Sequence, residues 1–303
     1  MRPDGTDFGV PANDGAGEPL RLPPWIRVRV PARGPAAAVT DLLARGALHT
    51  VCQGAHCPNQ PECFNRGTAT FMILGDTCTR DCLFCAVTAG RPAPPDLDEP
   101  ERVAAAAAQL GLKHVVVTSV TRDDLADGGA HLFADTIRAI RTRLPKAAIE
   151  VLVPDFLGRV TDLATVLAAH PDVFNHNLET VRRLQREIRP AADYERSLAV
   201  LRCAAAATPR PSVKSGLMVG LGETDDELRE AMVDLRQAGC DLLTIGQYLA
   251  PSRHHVPVRR FVTPETFSEY ACHATGLGFR GVASGPMVRS SYHAGRLFGT
   301  DVT

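Results

Sequence analysis

Beyond about residue 70 the chain alternates between short apolar runs and longer segments whose apolar residues recur with helical periodicity. The short runs are continuously apolar instead of alternating with polar residues, which is typical of strands buried on both faces of a parallel sheet. The predicted strands are 70–75, 114–120, 149–154, 173–177, 212–219 and 242–249. The predicted helices are 36–47, 101–110, 130–144, 160–169, 194–207, 227–238 and 265–276.

Six strand–helix units in series predict an α/β fold, namely a partial (β/α)6 barrel similar to a TIM barrel, with extensions at both ends. The chain then divides into a tail over 1–24, an N-terminal extension over 25–69, the barrel over 70–280 and a C-terminal segment over 281–303. The tail is rich in Gly, Pro, Asp and Asn, so we expect disorder there. An apolar stretch over 281–288 predicts either one more strand or a return segment.

In a parallel barrel the functional side chains collect at the C-terminal ends of the strands. Polar residues occur in this register along the predicted strands, and a polar group inside an apolar strand is costly unless it is paired. A single one is equally well explained as a hydrogen-bonded core residue, but their joint placement on one rim favours a site. The residues that we single out from this rim are Ser119, Arg122, Asn177, Glu179 and Lys214.

The 303-residue chain carries 33 basic and 34 acidic side chains, which gives a formal net charge of −1. A dedicated nucleic-acid binder usually has a basic excess, so this balance argues against that class. No apolar run approaches the roughly 20 residues needed to cross a bilayer, and the N-terminus lacks the features of a signal peptide. We therefore expect a cytoplasmic protein with no membrane partner, whose thiols stay reduced.

The nine cysteines are unevenly placed, and six of them form two triplets within residues 52–85. Reduced cysteines grouped in this way are candidate metal ligands. The second triplet is Cys78-x3-Cys82-x2-Cys85. Three soft thiolates on a tight loop favour three corners of a [4Fe–4S] cluster over a zinc site, which normally needs four protein ligands. The missing fourth thiolate leaves one iron open to a substrate or cofactor.

The first triplet, with the spacing C-x4-C-x5-C, predicts a second metal centre that has no fourth cysteine nearby. Its members are Cys52, Cys57 and Cys63. The remaining cysteines lie in or near helical patterns, where a free thiol behaves as a small hydrophobe. We expect these three to be core thiols: Cys203, Cys240 and Cys272.

The second triplet resembles the signature loop of the radical S-adenosylmethionine (SAM) enzymes, in which SAM chelates the open iron and is cleaved to a 5′-deoxyadenosyl radical. The resemblance implies a barrel of the radical SAM type. The two triplets together with the terminal Arg289-Ser290-Ser291-Tyr292 resemble the lipoyl synthase family more narrowly. The resemblance extends from about residue 25 to 296 and includes 67–76, 118–129, 175–180, 214–223 and 246–252.

This resemblance implies two [4Fe–4S] clusters. The second triplet holds the cluster that binds SAM, and the first holds an auxiliary cluster that donates sulfur, so its cysteines count as catalytic. A terminal serine completes the auxiliary cluster; we favour Ser291, with Ser290 as the alternative, because spacing does not choose between them. A serine oxygen binds iron more weakly than a thiolate, which suits a cluster that is consumed. The implied ligands are Cys52, Cys57, Cys63 and Ser291 for the auxiliary cluster, and Cys78, Cys82 and Cys85 for the radical SAM cluster.

The rim residues then become candidates for binding SAM or for placing the substrate. Arg122 and Lys214 each either pairs with the SAM carboxylate or forms a structural salt bridge. Phe84 and Ala86 flank the last cysteine of the loop and are candidates for contacting the adenine. His254 and His255 are adjacent and poorly spaced to share a metal ion, so we treat them as loop residues. The candidate SAM contacts are Phe84, Ala86, Ser119, Arg122, Asn177, Glu179 and Lys214.

The reaction implied by the resemblance inserts two sulfur atoms at C6 and C8 of an octanoyl chain carried on a lysine. Two SAM molecules are used, one for each C–S bond, and the protein supplies orientation and exclusion of water. The implied partners are octanoylated lipoyl carrier domains of 2-oxoacid dehydrogenases or the glycine cleavage H protein. The other implied partners are an electron donor, such as ferredoxin or flavodoxin, and an iron–sulfur carrier for cluster repair. We expect a monomer.

Four alternatives remain. Another radical SAM sulfur inserter, such as a biotin-synthase-like protein, is disfavoured by the N-terminal triplet and the terminal serine pair. An iron–sulfur regulator or nucleic-acid binder would carry a basic stripe, and a structural zinc protein would show paired C-x2-C motifs. Departures from the family pattern leave room for a divergent paralogue with another substrate; they lie at Gln53-Gly54, Gln60-Pro61 and Phe64.

Overall fold

The computed structural model describes residues 21–28 and 34–300, so residues 1–20 of the tail for which we predicted disorder lie outside the described residues. Ten strands occur in this part of the chain. They are β1 (His49–Thr50), β2 (Thr70–Ile73), β3 (Thr77–Cys78), β4 (Thr88–Ala89), β5 (His114–Ser119), β6 (Ala148–Leu152), β7 (Val173–Asn175), β8 (Ser212–Val219), β9 (Leu242–Gln247) and β10 (Gly281–Gly285).

Helices follow most of the strands and cover the sheet. They are α1 (Ala36–Arg45), α2 (Val51–Gly54), α3 (Gln60–Asn65), α4 (Glu99–Gln109), α5 (Ala130–Arg143), α6 (Val160–Leu167), α7 (Arg182–Ile188), α8 (Tyr194–Ala205), α9 (Asp225–Gln237), α10 (Pro264–Gly276) and α11 (Ala294–Phe298), with a 3-10 turn at Phe156–Gly158.

Eight of the strands form one sheet in the order β1-β2-β5-β6-β7-β8-β9-β10. β1 pairs antiparallel with β2, and every other neighbouring pair is parallel. The sheet stays open between β1 and β10, which confirms the predicted α/β class and the partial barrel. All six predicted strands are present, and the stretch over 281–288 supplies the strand β10 at one edge. β3 and β4 form a separate parallel pair.

The continuous apolar runs are strands because both of their faces are buried. All six residues of β9 and all four of β2 are buried. Parallel strands enclosed by helices have no solvent-facing side, so the alternation of a half-exposed strand is absent. The polar residues inside the strands include Lys214 of β8, which donates to Glu150 of β6 at 2.7 Å across the sheet.

The structure corrects several boundaries. α9 begins at Asp225, before the predicted start at residue 227, because Thr224 and Glu227 form a capping box. β7 ends at Asn175, so His176 and Asn177 lie beyond it at the rim. The helices α2, α3, α7 and α11 were not predicted, since each has seven residues or fewer and too short a periodic pattern.

The three cysteines outside the triplets differ in exposure. Cys240 is buried, as predicted, and Cys203 is partly buried. Cys272 is exposed, so the prediction of a core position is wrong for this residue. It lies on the solvent side of α10, where helical periodicity alone does not identify the buried face when neighbouring residues are small.

The C-terminal segment over 286–292 crosses β8 and β9 after β10 ends. Gly246 of β9 has no room for a Cβ because the Val288 carbonyl oxygen occupies that space. α11 follows and packs against β10 and β5, and the Phe298 ring lies 5.8 Å from the His114 ring between centroids. The glycine in β9 therefore allows the C-terminal segment to lie directly against the sheet.

Candidate metal centres and cofactor site

The second cysteine triplet lies on a loop that leaves the C-terminal end of β2. Leu74 and Gly75 have φ of +70° and +90°, which turns the chain sharply out of the strand. The loop is closed at its base, because β3 pairs with β4 and the Gly90 N–H donates to the Cys78 carbonyl at 2.8 Å. The local chain geometry therefore keeps the three thiols on one short loop at the predicted rim.

Hydrogen bonds to the sulfur atoms fit thiolate ligands. The Cys78 Sγ accepts the backbone N–H groups of Arg80, at 3.4 Å, and of Thr121, at 3.3 Å. Burial raises the pKa of the Cys82 thiol, and the guanidinium of Arg189 opposes this effect by hydrogen bonding to it. Burial also raises the pKa of Cys85 to about 12. Buried thiolates require a positive partner, and the irons of a cluster would supply it.

A buried arginine joins this loop to the two neighbouring loops. The Arg80 guanidinium donates to Asp123, at 2.6 and 2.9 Å, and to Asp155 at 2.6 Å. Arg196 reaches the other oxygen of Asp155 at 3.1 Å. Burial opposes ionisation of Asp155, but its bonds to Arg80 outweigh this and lower its pKa to about 2. The ion pairs hold the cysteine loop against the ends of β5 and β6.

Two rim candidates carry buried oxygen atoms with no hydrogen-bond partner among the described residues. These are the Ser119 Oγ, at the end of β5, and the Asn177 Oδ1, just beyond β7. The Asn177 Nδ2 donates to Glu179 at 3.0 Å. Burial raises the pKa of Glu179, whose backbone φ is +70°. Buried polar atoms without a hydrogen-bond partner are rare. The two at this rim are therefore consistent with a site that binds a polar ligand.

The two cationic candidates are already in ion pairs within the chain. Arg122 is buried and donates twice to Asp124, at 2.8 Å each, and to the Leu74 carbonyl at 3.3 Å. Lys214 is fully buried against Glu150. Of the two alternatives predicted for these residues, the structural salt bridge describes their observed contacts. Phe84 and Ala86 are both partly buried within the cysteine loop.

The first triplet is arranged around α2 and α3. Cys52 lies in α2, Cys63 in α3 and Cys57 on the loop between them. Burial raises the pKa of Cys52 to about 11 and that of Cys63 to about 12. The charges of Cys52 and Cys57 add to the rise at Cys63, so the three sulfurs are electrostatic neighbours. Three neighbouring cysteines, one buried and two partly buried, again fit a shared cluster.

The C-terminal segment lies against this first triplet. The Asn59 Nδ2 donates to the Met287 carbonyl at 2.6 Å, and the Tyr292 hydroxyl donates to Glu62 at 3.2 Å. Burial lowers the pKa of Arg289, and the charge of Cys57 partly offsets this effect. The fold thus joins two segments that are more than 200 residues apart in sequence.

The two terminal serines have different surroundings. The Ser290 Oγ accepts from the Asn177 Nδ2 at 2.6 Å. A Cβ placed on Gly216 would lie 2.8–2.9 Å from Ser290 Oγ, Asn177 Oδ1 and Thr244 Oγ1, so this glycine allows the three side chains to meet. Ser290 therefore faces the rim of the second triplet. Ser291 immediately precedes Tyr292, whose hydroxyl donates to Glu62, the neighbour of Cys63.

Within residues 21–28 and 34–300, no three His, Cys, Asp or Glu side chains are arranged to hold one metal ion. A [4Fe–4S] cluster binds each thiolate to a different iron, so its ligands need not converge on one ion. In the same part of the chain, no helix has the length and apolar character to span a membrane.

Sequence reasoning missed three residues of the site. Arg80 and Arg189 contact the second triplet directly, and His255 hydrogen-bonds the Cys85 carbonyl at 3.0 Å. Arg80 stands between two cysteines of the motif, which is the signal that singles it out in retrospect. No local pattern marks Arg189 or His255, because they come from α7's end and from the loop after β9.

Comparison with known proteins identifies the class first. The radical SAM superfamily matches residues 72–235. Among solved structures, methylornithine synthase has a TM-score of 0.51 at 13% identity, over 83% of this chain and 76% of that one. Streptococcus suis SuiB bound to SAM has a TM-score of 0.55 at 11% identity, over 70% of this chain and 48% of that one. The fold and the cysteine loop are those of a radical SAM enzyme, which uses SAM and a [4Fe–4S] cluster.

Sequence identity with individual proteins then identifies the family within this class. Lipoyl synthase of Methylococcus capsulatus is 57% identical over 286 residues, 94% of this chain and 89% of that protein. Those of Acidithiobacillus ferrooxidans and Klebsiella pneumoniae are 56% and 54% identical, and the alignments include 95% and 91% of this chain and 92% and 86% of the relatives. The chain therefore belongs to the lipoyl synthase family, whose members are radical SAM sulfur-inserting enzymes.

Proposed function

We propose that this protein inserts two sulfur atoms, at C6 and C8, into an octanoyl chain carried on the lysine of a lipoyl carrier domain. Membership of the lipoyl synthase family supports the proposal. The observation that carries it is the contact between the C-terminal segment and the first-triplet loop, through Asn59, Glu62 and Tyr292. In this proposal that contact would bring a terminal serine to the triplet, which lacks a fourth cysteine ligand.

In this proposal the first triplet and Ser291 hold the auxiliary cluster, and the second triplet holds the cluster that binds SAM. The hydrogen bond between Ser290 and Asn177 supports Ser291 as the ligand, because it already engages the Ser290 hydroxyl. Ser291 immediately precedes Tyr292, which bonds to Glu62 beside Cys63. In this proposal Ser291 binds iron and Ser290 hydrogen-bonds to Asn177.

We assign SAM to the rim beside the second triplet. Ser119 and Asn177 would offer their unpartnered oxygens to hydroxyl or amino groups, and Glu179 would accept from an amino group. Phe84 and Ala86 would contact the adenine. The ion pairs of Arg122 and Lys214 would stabilise the strands that carry these contacts.

The bound cofactors would supply a 5′-deoxyadenosyl radical and the sulfur atoms, which acid–base groups cannot supply for unactivated C–H bonds. The chain itself holds and orients these groups. Arg80 anchors the second-triplet loop to Asp123 and Asp155, and Asn177 connects the SAM rim with the C-terminal segment. The segment over 286–292 lies between the two triplets, so it would help to exclude water from the reacting carbon.

The proposed partners follow from the acyl substrate, from the electrons needed to cleave SAM and from the consumption of the auxiliary cluster. An octanoylated lipoyl domain of a 2-oxoacid dehydrogenase, or the glycine cleavage H protein, would present the acyl chain. A ferredoxin or flavodoxin would deliver electrons, and an iron–sulfur carrier would rebuild the consumed cluster. We propose that the enzyme works with these partners in the cytoplasm.

The test uses anaerobically reconstituted protein, SAM, a strong reductant and an octanoyl-lysyl peptide. We expect about eight irons per chain, 5′-deoxyadenosine, and a peptide that gains two sulfur atoms. Deoxyadenosine without sulfur transfer would mean another substrate, and about four irons would contradict the two-cluster arrangement.

The serine assignment is tested in the same assay with matched variants. Ser291→Ala should lose the auxiliary cluster and leave about four irons, with SAM cleavage retained. Ser290→Ala should keep about eight irons, because its hydroxyl contacts Asn177 instead of iron. The reverse pattern of iron loss would transfer the ligand role to Ser290.

A further inference from the structure

The side chain of His255 lies between a serine and the backbone of the second-triplet loop. Its Nε2 is 3.0 Å from the Cys85 carbonyl oxygen, and its Nδ1 is 2.8 Å from the Ser252 Oγ. The neighbouring His254 is exposed. Adjacent histidines of the same loop therefore have different environments.

These contacts define one tautomer of His255. A carbonyl oxygen only accepts hydrogen bonds, so the Nε2 must carry the proton that it donates to Cys85. The Nδ1 then accepts from the Ser252 hydroxyl. The Ser252 Oγ is itself oriented, because it accepts the His254 backbone N–H at 3.2 Å. Ser252 thus selects the ring orientation that presents a donor to Cys85.

Another residue of the loop after β9 also hydrogen-bonds to the backbone of the second-triplet loop. The Val256 N–H donates to the Leu83 carbonyl at 3.0 Å. The buried Tyr248 hydroxyl donates to the Val256 carbonyl at 2.7 Å, which fixes Val256 in turn. Two carbonyls of the second-triplet loop, those of Leu83 and Cys85, therefore have partners on one segment, 248–256.

We propose that His255 is a positioning residue for the SAM site. Its hydrogen bond fixes the peptide unit between Cys85 and Ala86, and so sets the direction of the Ala86 N–H, where the adenine would bind. The inference deepens the proposed function and rests on the assignment of the second triplet to SAM. His255 acts through the backbone and touches neither the irons nor the reacting carbon.

The experiment compares four variants with the wild type after anaerobic reconstitution. They are His255→Ala, His255→Gln, Ser252→Ala and, as the matched control, His254→Ala. Three quantities are measured on each: iron per chain, the dissociation constant of SAM by equilibrium dialysis, and the change in the electron paramagnetic resonance spectrum of the reduced cluster when SAM is added. None of them depends on turnover or on the octanoyl substrate.

We expect His255→Ala to keep its iron and to bind SAM about five- to tenfold more weakly, with a smaller spectral change, because one orienting hydrogen bond is lost. His255→Gln should recover most of the affinity, since its amide N–H can donate to the same carbonyl. Ser252→Ala should weaken binding about two- to threefold through loss of the ring orientation. His254→Ala should match the wild type.

Wild-type affinity and an unchanged spectral response in His255→Ala would overturn the inference. Equal defects in His255→Ala and His255→Gln would also overturn it, because the donor to Cys85 would then not be the feature that matters. The proposed function fails in a distinguishable way. A wild type that binds and cleaves SAM but transfers no sulfur would refute the substrate assignment and leave the SAM measurements on His255 valid.

Discussion

At the scale of single residues, the clearest feature is a set of charges buried inside the sheet. Glu150 accepts from Lys214, is bonded to His114 at 3.1 Å and accepts from Asn175 at 3.3 Å. Burial opposes ionisation of Glu150, and the charge of Lys214 does most to lower its pKa again. A buried ion pair adds little net stability, but removal of one partner leaves an uncompensated charge.

This network leads to a prediction for Lys214→Met. The free energy of unfolding should fall by about 3–5 kcal/mol, because the Glu150 carboxylate loses its cation. Urea unfolding of the variant measures this change. The added substitution Glu150→Gln should restore part of the stability, and Lys113→Met, at an exposed lysine, should have little effect. Unchanged stability with lost SAM binding would instead make Lys214 a cofactor contact.

At the scale of elements, the glycines of β8 and β9 decide where the C-terminal segment lies. Gly216 allows Ser290, Asn177 and Thr244 to meet, and Gly246 leaves room for the Val288 carbonyl. A strand residue with a side chain at either position would push the segment away from the sheet. These glycines are therefore required for close packing and not for an unusual backbone conformation, because neither has a positive φ.

Gly246→Ala should displace the segment over 286–292. The added methyl would overlap the Val288 carbonyl oxygen, and overpacking of this kind costs about 1–3 kcal/mol. Under the proposed ligand assignment, the variant should bind fewer than about eight irons while the second-triplet cluster remains. Iron analysis and thermal unfolding measure both effects.

The matched control is Gly276→Ala, at the end of α10, where a Cβ would meet no atom within 4 Å. It should keep its iron and its stability. An unaltered iron content in Gly246→Ala would contradict the dependence of the auxiliary cluster on this contact.

At the scale of the whole molecule, buried histidine makes stability depend on pH. His176 donates from its Nδ1 to the Val153 carbonyl at 2.8 Å, and its Nε2 lies 3.1 Å from the Ser197 Oγ. Burial lowers its pKa from 6.5 to about 4. Between these values the unfolded chain binds more protons than the folded chain, so stability falls as pH decreases through this window.

We expect a stability loss of about 2 kcal/mol from this residue between pH values of about 7.5 and about 5. The measurement compares urea unfolding of the wild type and of His176→Asn at both pH values. The variant should be less stable at the higher pH and show the smaller decrease, because its side chain does not titrate. Parallel pH profiles would show that His176 is not the responsible group.

Much of the fold was predictable because its signals are local. Strand and helix periodicity lies within about ten residues, and the cysteines of each triplet are separated by short spacers. The six central strands and their parallel arrangement were therefore predicted correctly, and the assignment of the two cysteine triplets to metal clusters stays a prediction. Several element boundaries differed, and the short helices α2, α3, α7 and α11 were not predicted.

The family resemblance added the prediction that a terminal serine binds the first-triplet cluster, which the cysteine spacing alone does not give. Residues 52–63 and the terminal serines are far apart in sequence, and without the family pattern the serines would be an ordinary surface pair. The structure then showed different surroundings for the two serines: Ser290 bonds to Asn177, and Tyr292, next to Ser291, bonds to Glu62 beside Cys63.

By itself, the sequence determined the α/β class, the order of the strands along the chain and the grouping of the cysteines, because each depends on residues close together. Only the tertiary structure decided the partners of buried polar groups: Arg80 with Asp155, Lys214 with Glu150, and His255 with the Cys85 carbonyl. Those pairings depend on the order of strands in the sheet, on their register and on the course of the loops. A buried polar group takes whichever partner the packing brings within hydrogen-bonding distance, and a linear pattern does not record that distance.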